Sequence, residues 1–212
     1  AIYGDYKFLY VSPERLRTDL FLARVAKMNV NFIVIDEAHC ISQWGYDFRP
    51  DYLLIKELKS VVGSDVPYIA LTATATQKVA EDIMEVLGFK EKNLIRSGFE
   101  RPNLAYIVRE CEDKLGKMAQ VCNSISGSGI VYVRQRKKTE EIAAFLNSQG
   151  IDADFYHAGL GKELRSKKQD MWKKGDLRVM VATNAFGMGI DKPDVRFVCH
   201  FDLPESLESY FQ

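Results

Sequence analysis

The sequence predicts an α/β fold built on parallel strands, and three observations carry that prediction. Short apolar runs such as NFIVID (31–36), PYIALTA (67–73) and RVMVAT (178–183) alternate with longer amphipathic stretches, the order of strands joined by crossover helices. The runs are apolar throughout instead of at every second position, as in parallel strands buried on both faces. Boundary residues agree: Gly88 and Gly150 stand where helix ends favour glycine, and Thr76 to Glu81 gives a polar helix start.

In chain order the expected strands are KFLYVS (7–12), NFIVID, PYIALTA, LIRSGF (94–99), NLAYIVRE (103–110), GIVYVR (129–134), DADFYH (152–157), RVMVAT and FVCHFD (197–202). Helices are expected over 13–28, 50–62, 76–87, 113–126, 136–148, 161–174 and 205–212. The 212 residues, 47% of them hydrophobic, suffice for one large domain or two small ones. A break is expected near ERPN (100–103), where Pro102 interrupts the pattern between two α/β series. There is no fixed short repeat and no low-complexity tract.

Charge narrows the function classes less than usual. Lys and Arg total 29 and Asp and Glu total 29, so no global field draws the chain to nucleic acid or membrane, and a nucleic-acid footprint would have to be local. Cys40, Cys111, Cys122 and Cys199 lie far apart without metal-ligand spacing, which reads as free thiols in a reducing compartment. No apolar stretch approaches the ~20 residues of a membrane span, and no signal peptide is visible. The expected location is the bacterial cytoplasm, or the nucleus in a eukaryote.

The stretch DEAHCISQWGYDFRP (36–50) concentrates the chemistry. Ligands of open parallel sheets bind beyond the carboxyl ends of strands, where Asp36 and Glu37 fall. An Asp there holds Mg²⁺ through water in P-loop ATPases, and an adjacent Glu can deprotonate an attacking water. His39 lacks the second histidine, four residues away, that a zinc protease helix requires. ALTATAT (70–76) places Thr72, Thr74 and Thr76 where hydroxyls can bond to carboxylate, histidine or backbone at neighbouring strand ends; on its own it is equally a threonine-rich strand end capping a helix. Trp44, Phe48 and Arg49 suit a flat, anionic ligand, the rings by stacking and the guanidinium by pairing with phosphate. On their own the rings are also compatible with the core of a compact loop. The run Lys162 to Arg178 reads as a solvated basic helix face.

DEAH, the TAT stretch and QWGYDFRPDY together resemble a superfamily 2 helicase of the RecQ family. YVSPERL (10–16), FERPNL (99–104), YHAGL (156–160), VATNAFGMGIDKPDVRFVCHFDLP (181–204) and SYFQ (209–212) extend the resemblance nearly end to end. It implies two RecA-like lobes with parallel sheets: residues 1–98 as the C-terminal part of the first, 99–104 as a link, and 105–212 as the second. The first lobe would lack its N-terminal part and the second its C-terminal end. It further implies an ATP-dependent DNA helicase of repair and recombination, translocating 3′ to 5′ on single-stranded DNA while unwinding duplex, with ATP and Mg²⁺. Asp36 would bind Mg²⁺ through water, Glu37 would be the base, and His39 would stand with them. Gln43, Thr72 and Thr74 would couple lobe closure to DNA. Trp44, Phe48, Arg49, Asn103, Arg134, His157 and Thr183 would contact DNA, and Gly189 and Asp191 the nucleotide. The GMG glycines at 187 and 189 would let backbone approach a ligand, although a plain turn would also use them.

Gly-Lys occurs only at 116–117 and 161–162, in neither case within G-x-x-x-x-G-K-[ST]. The phosphate cradle and the terminal arginine motif would thus lie outside this sequence, which reads as an internal piece of a longer helicase. Two rival readings stand beside it. One is a non-catalytic nucleic-acid-binding module; the other keeps the ATPase with RNA as substrate, and no residue here visibly rejects a 2′-hydroxyl.

Overall fold

The computed structural model describes residues 2–4, 6–45, 47–91, 93–98, 100–187 and 189–211. Tyr46 of the QWGYDFRP stretch, Phe99, Met188 of GMG and Gln212 of SYFQ lie outside the described residues. The chain forms two compact units, 1–100 with 205–212, and 101–204.

In the first unit a 3₁₀ turn at Pro13–Arg17 leads into α1 (Asp19–Val25). Strand β1 (Ile33–Ile35) is followed by a 3₁₀ turn at Ala38–Ile41, and a third at Pro50–Leu53 opens α2 (Leu54–Val62). Strand β2 (Tyr68–Ala70) then precedes α3 (Gln77–Val86). Thr76 caps α3 by accepting the Val79 N–H at 3.3 Å, the polar start the sequence predicts. β1 and β2 pair in parallel, with Ile33 opposite Tyr68, Val34 opposite Ile69 and Ile35 opposite Ala70. Val25, Ile55, Leu58, Val79 and Ile83 from the three helices form one cluster with Ile35 and Tyr68.

The second unit runs α4 (Lys114–Ser124), β3 (Ser128–Tyr132), α5 (Arg136–Ser148), β4 (Ala153–Tyr156), α6 (Lys162–Lys174), β5 (Val179–Ala182) and β6 (Val195–His200). Its four strands are parallel in the order β4-β5-β3-β6. One face carries Val131, Val179 and Val181 against Cys122 of α4 and Ile142 and Leu146 of α5. The other carries Ile130, Met180 and Ala182 against Trp172 of α6 and Phe186. Trp172 Nε1 donates to the Gly129 carbonyl at 3.2 Å, and a Cβ at Gly129 would collide with the Phe197 ring. A short α7 (Leu207–Phe211) belongs to the first unit.

The expected helices form, the first two in pieces because the segments opening at Pro13 and Pro50 begin as 3₁₀ turns. Three expected strands do not. KFLYVS, the described part of LIRSGF, and NLAYIVRE are not in strands, and Tyr10, Ile95 and Val108 are 93%, 96% and 85% exposed. Apolar composition alone does not make a strand; a ladder partner must accept its backbone hydrogen bonds, and these segments join none of the described ladders.

Candidate functional site

In the first unit the site is built at the carboxyl end of β1. Asp36 is exposed and its Oδ1 accepts the Glu37 N–H at 2.9 Å. Glu37 has φ 50°, the one positive φ outside glycine among the described residues. A left-handed non-glycine residue costs about 1–3 kcal/mol and persists where its surroundings hold it. Here the Ala38 N–H donates to the Leu71 carbonyl at 2.9 Å and the Leu71 N–H to the Ile35 carbonyl at 2.8 Å, so the turn is locked to the end of β2.

That lock brings the DEAH and TAT stretches together. His39 is 2% exposed, and its Nδ1 lies 3.1 Å from Thr72 Oγ1 and 3.3 Å from Glu37 Oε2. Thr72 Oγ1 also accepts the Thr74 N–H at 3.3 Å, while the buried Thr74 hydroxyl has no hydrogen-bond partner among the described residues. Burial holds the His39 pKa below its ordinary value, against the opposing pull of the Glu37 carboxylate. A neutral imidazole therefore joins a carboxylate on one strand end to a hydroxyl on the next.

The loop that follows is tightly wound. A Cβ at Gly45 would lie 2.5 Å from the His39 carbonyl oxygen and 3.1 Å from that of Ser42. Ser42 donates to Asp82 of α3 at 2.5 Å and accepts the Trp44 N–H at 3.2 Å. The Arg49 N–H donates to the Cys40 carbonyl at 2.9 Å, and its guanidinium grips Asp47 Oδ2 at 2.7 and 3.0 Å. Cys40 Sγ lies 3.6 Å from His39 Nε2 and 3.9 Å from Asp47 Oδ2; burial, with the Asp47 charge, pushes its thiol up to about 11. Trp44 is 63% exposed with Lys78 Nζ 3.1 Å from its ring centroid. Gln43 is exposed and Phe48 half-buried. Trp44 thus stands on the surface and not in the core of a compact loop, and Arg49 is already engaged by Asp47.

In the second unit Arg134, His157 and Thr183 follow the carboxyl ends of β3, β4 and β5, which are neighbours in register: Tyr132 pairs with Ala182, and Ala182 with Tyr156. The Thr183 N–H donates to the Tyr156 carbonyl at 3.2 Å. His157 is 8% exposed; its Nε2 lies 3.5 Å from Glu140 Oε1, and its buried Nδ1 has no hydrogen-bond partner among the described residues. Arg134 receives Asp202 Oδ2 on its backbone N–H at 2.9 Å and donates from its guanidinium to the Leu203 carbonyl at 2.7 Å, so it also ties down the chain after β6.

The two GMG glycines do different work. Gly187, at φ 116°, has no room for a Cβ against the Tyr132 hydroxyl, whereas Gly189, at φ 69°, has open space around it. Gly187 serves internal packing; Gly189 and the exposed Asp191 lie free on the loop after β5. Asn103 is exposed in a turn that the Leu104 N–H closes on the Arg101 carbonyl at 2.9 Å, and is not gathered with the strand-end residues. Four residues escaped sequence reasoning. Lys78 stands over Trp44 and Asp82 tethers Ser42; Glu140 faces His157, and Arg136 Nη1 would lie 3.2 Å from a Cβ at Gly159. Arg136 had a signal in the QRKK run, but the other three stand on helices whose pattern shows only a polar face.

Two parallel-sheet units with DEAH and TAT joined at one strand end define a helicase of the DEAD/DEAH class. Residues 1–83 match the DEAD/DEAH box helicase family and residues 113–212 the helicase conserved C-terminal domain. The fold agrees with Saccharomyces cerevisiae Dbp5 bound to RNA and ADP BeF3, at TM-score 0.71 and 22% identity over 91% of this chain and 52% of that one. The particular family follows from sequence. The chain is 45% identical to the ATP-dependent DNA helicase RecQ of Pasteurella multocida over 99% of its length and 33% of that protein. It is likewise 45% identical to the ATP-dependent DNA helicase Q-like 2 of Arabidopsis thaliana, over 98% of this chain and 31% of that one. The chain belongs to the RecQ family of ATP-dependent DNA helicases and spans about a third of the length of these relatives. No helix among the described residues is long and apolar enough to cross a membrane.

Proposed function

We propose that the protein to which this chain belongs unwinds duplex DNA by moving 3′ to 5′ along single-stranded DNA, and that residues 36–49 couple that movement to ATP hydrolysis. Residues 1–98 serve as part of the first RecA-like lobe, 99–104 as the link and 105–212 as part of the second in chain order, although 205–212 cluster with the first unit here. The observation that carries the reading is His39, buried and bonded on one side to Thr72 while lying against Glu37.

In this reading Glu37 takes the proton from the water that attacks the γ-phosphate, and the His39–Thr72 contact holds that carboxylate in register with the end of β2. Asp36 offers exposed carboxylate oxygens at a strand end, the hard donors that suit Mg²⁺ held partly through water. Mg²⁺ would supply charge neutralisation on the phosphates. Trp44, seven residues beyond Glu37, offers an exposed ring for a DNA base; such stacking contributes about 1–3 kcal/mol per base. A base arriving there displaces Lys78 from the ring, and the Ser42–Asp82 and Arg49–Asp47 contacts give the loop discrete bonds to exchange. In the second unit Arg134, Arg136, His157 and Thr183 contact the DNA backbone, Arg136 joining the set because of its approach to Gly159. Asn103 adds a further DNA contact, and Gly189 and Asp191 face the nucleotide.

The test is the ATPase rate of the full-length protein with single-stranded DNA, with RNA and with neither. Strong stimulation by DNA alone is expected. Turnover indifferent to DNA would return the chain to a binding module, and stimulation by RNA would make RNA the substrate.

A further inference from the structure

We infer that the turn joining the DEAH residues to the aromatic loop is a binding site for a thiophilic divalent cation of the zinc class, held by His39 Nε2, Cys40 Sγ and Asp47 Oδ2. A ring nitrogen of His39, the Cys40 sulfur and a carboxylate oxygen of Asp47 lie within 4.8 Å of one another, with Nε2 to sulfur at 3.6 Å and sulfur to Oδ2 at 3.9 Å. Ordinary zinc bonds of about 2.3 Å to sulfur and about 2.0–2.2 Å to nitrogen and oxygen separate these donors by about 3.5 Å in a tetrahedron. Two of the three edges are therefore close to the required length. Swinging the Asp47 carboxylate closes the third.

The donor set is also chemically selective. A thiolate and an imidazole beside one carboxylate favour zinc over magnesium, whereas Asp36 offers oxygen alone, so the two sites would not compete for the same ion. The remaining ring nitrogen of His39 lies against Thr72 and Glu37. That outer contact fixes the ring and raises its basicity, as partners of zinc-bound histidines do. The side of the site formed by Asp47 is open, its side chain being 42% exposed, and leaves room for a water as fourth ligand. On binding, Cys40 gives its proton to solvent and the Arg49 guanidinium leaves Asp47 Oδ2, since both cations need the same oxygen. Thiolate and carboxylate then balance the two positive charges of the ion.

A cation there clamps residue 40 to residue 47 across the segment carrying Gln43 and Trp44. Its functional consequence rests on the coupling role proposed above: the clamped loop cannot answer DNA, so DNA-stimulated turnover falls.

The test is a titration of metal-free full-length protein with Co²⁺, read as thiolate-to-cobalt charge-transfer absorption, for wild type, Cys40→Ala, Asp47→Asn and the exposed-cysteine control Cys111→Ala. We expect an increment of absorption that Zn²⁺ displaces, that Cys40→Ala removes and that Cys111→Ala retains, over whatever the rest of the protein contributes. Asp47→Asn, a change at a half-exposed carboxylate that spares the core, should weaken Co²⁺ binding by about tenfold or more. Folding of each variant is checked by circular dichroism. No difference in absorption between wild type and Cys40→Ala, or equal Co²⁺ affinity in wild type and Asp47→Asn, overturns the site. In a second arm, Zn²⁺ should suppress DNA-stimulated turnover in wild type and less so in Asp47→Asn. Cobalt bound with stimulation untouched would support the site and contradict the coupling role.

Discussion

The two sheets of this chain are apolar to a similar degree yet buried very differently. In the second unit β5 is buried at every position, with valines on one face under α4 and α5 and Met180 and Ala182 on the other under Trp172 and Phe186. In the first unit Ile35 and Tyr68 are buried, but Val34 and Ile69, paired across the ladder, are 49% and 46% exposed. Burial on both faces, which an all-apolar strand suggests, requires cover from both sides. All three helices of the first unit that flank the sheet pack into one cluster, so one face of β1 and β2 stays open. The difference teaches that strand composition reports what a fold requires, while burial reports what the described residues supply. Strand-end chemistry does not follow the same division. The first sheet carries the acidic pair and His39 at its strand ends, and the second carries Arg134, His157 and Thr183.

Four changes would break or sharpen this contrast. The largest expected effect belongs to the half-covered sheet: Glu37→Gln should lower ATP turnover by about 10²–10⁴-fold, the range for losing a general base, while nucleotide affinity measured by fluorescence titration stays close to wild type. Parallel loss of affinity would make Glu37 a binding group instead. Next, Leu146→Ala under the covered sheet should cost about 2–5 kcal/mol in chemical denaturation, because Leu146 is fully buried. Val34→Thr on the open face should stay within about 0.5 kcal/mol. A large cost at Val34 would mean that its face is covered in the full-length protein. Third, Trp44→Ala should weaken single-stranded DNA binding by about 1–3 kcal/mol, measured by fluorescence anisotropy at fixed salt.

The smallest effect concerns two histidines, one per unit. Burial holds both His39 and His200 below 6.5, and at His39 the Glu37 carboxylate, with Asp47 and Asp36 behind it, pulls the other way. Below about pH 6.5 the unfolded chain binds more protons at these positions than the folded one. The stability they contribute is therefore intact above that pH and is lost as pH falls through their folded values. NMR titration of the ring protons should place both midpoints below 6.5, and Glu37→Gln should move His39 lower still while leaving His200 in place. A His39 midpoint above 6.5 would show that the Glu37 charge outweighs burial.

Much of this was readable from residues. The expected helices 136–148 and 161–174 appear as Arg136–Ser148 and Lys162–Lys174, because their apolar spacing and the glycines that follow act locally. Gly150 and Gly175 adopt positive φ there, at 75° and 87°. The expected contact of a TAT hydroxyl with a histidine exists at Thr72, since parallel neighbours bring equivalent strand ends side by side. KFLYVS and NLAYIVRE misled because apolarity says nothing about the presence of a pairing partner. The bonds of Ser42 to Asp82, Arg49 to Asp47 and Cys40 to both of its neighbours were hidden for another reason. They depend on how a loop folds on itself and on α3, which no periodicity encodes.

The most direct test of the central claim, that the loop after DEAH transmits DNA binding to the ATPase, is the ratio of DNA-stimulated to basal ATP turnover in full-length wild type and Trp44→Ala at saturating single-stranded DNA. The account predicts that the ratio collapses towards one in Trp44→Ala while basal turnover changes little. An unchanged ratio, or equal loss of both rates, would contradict it.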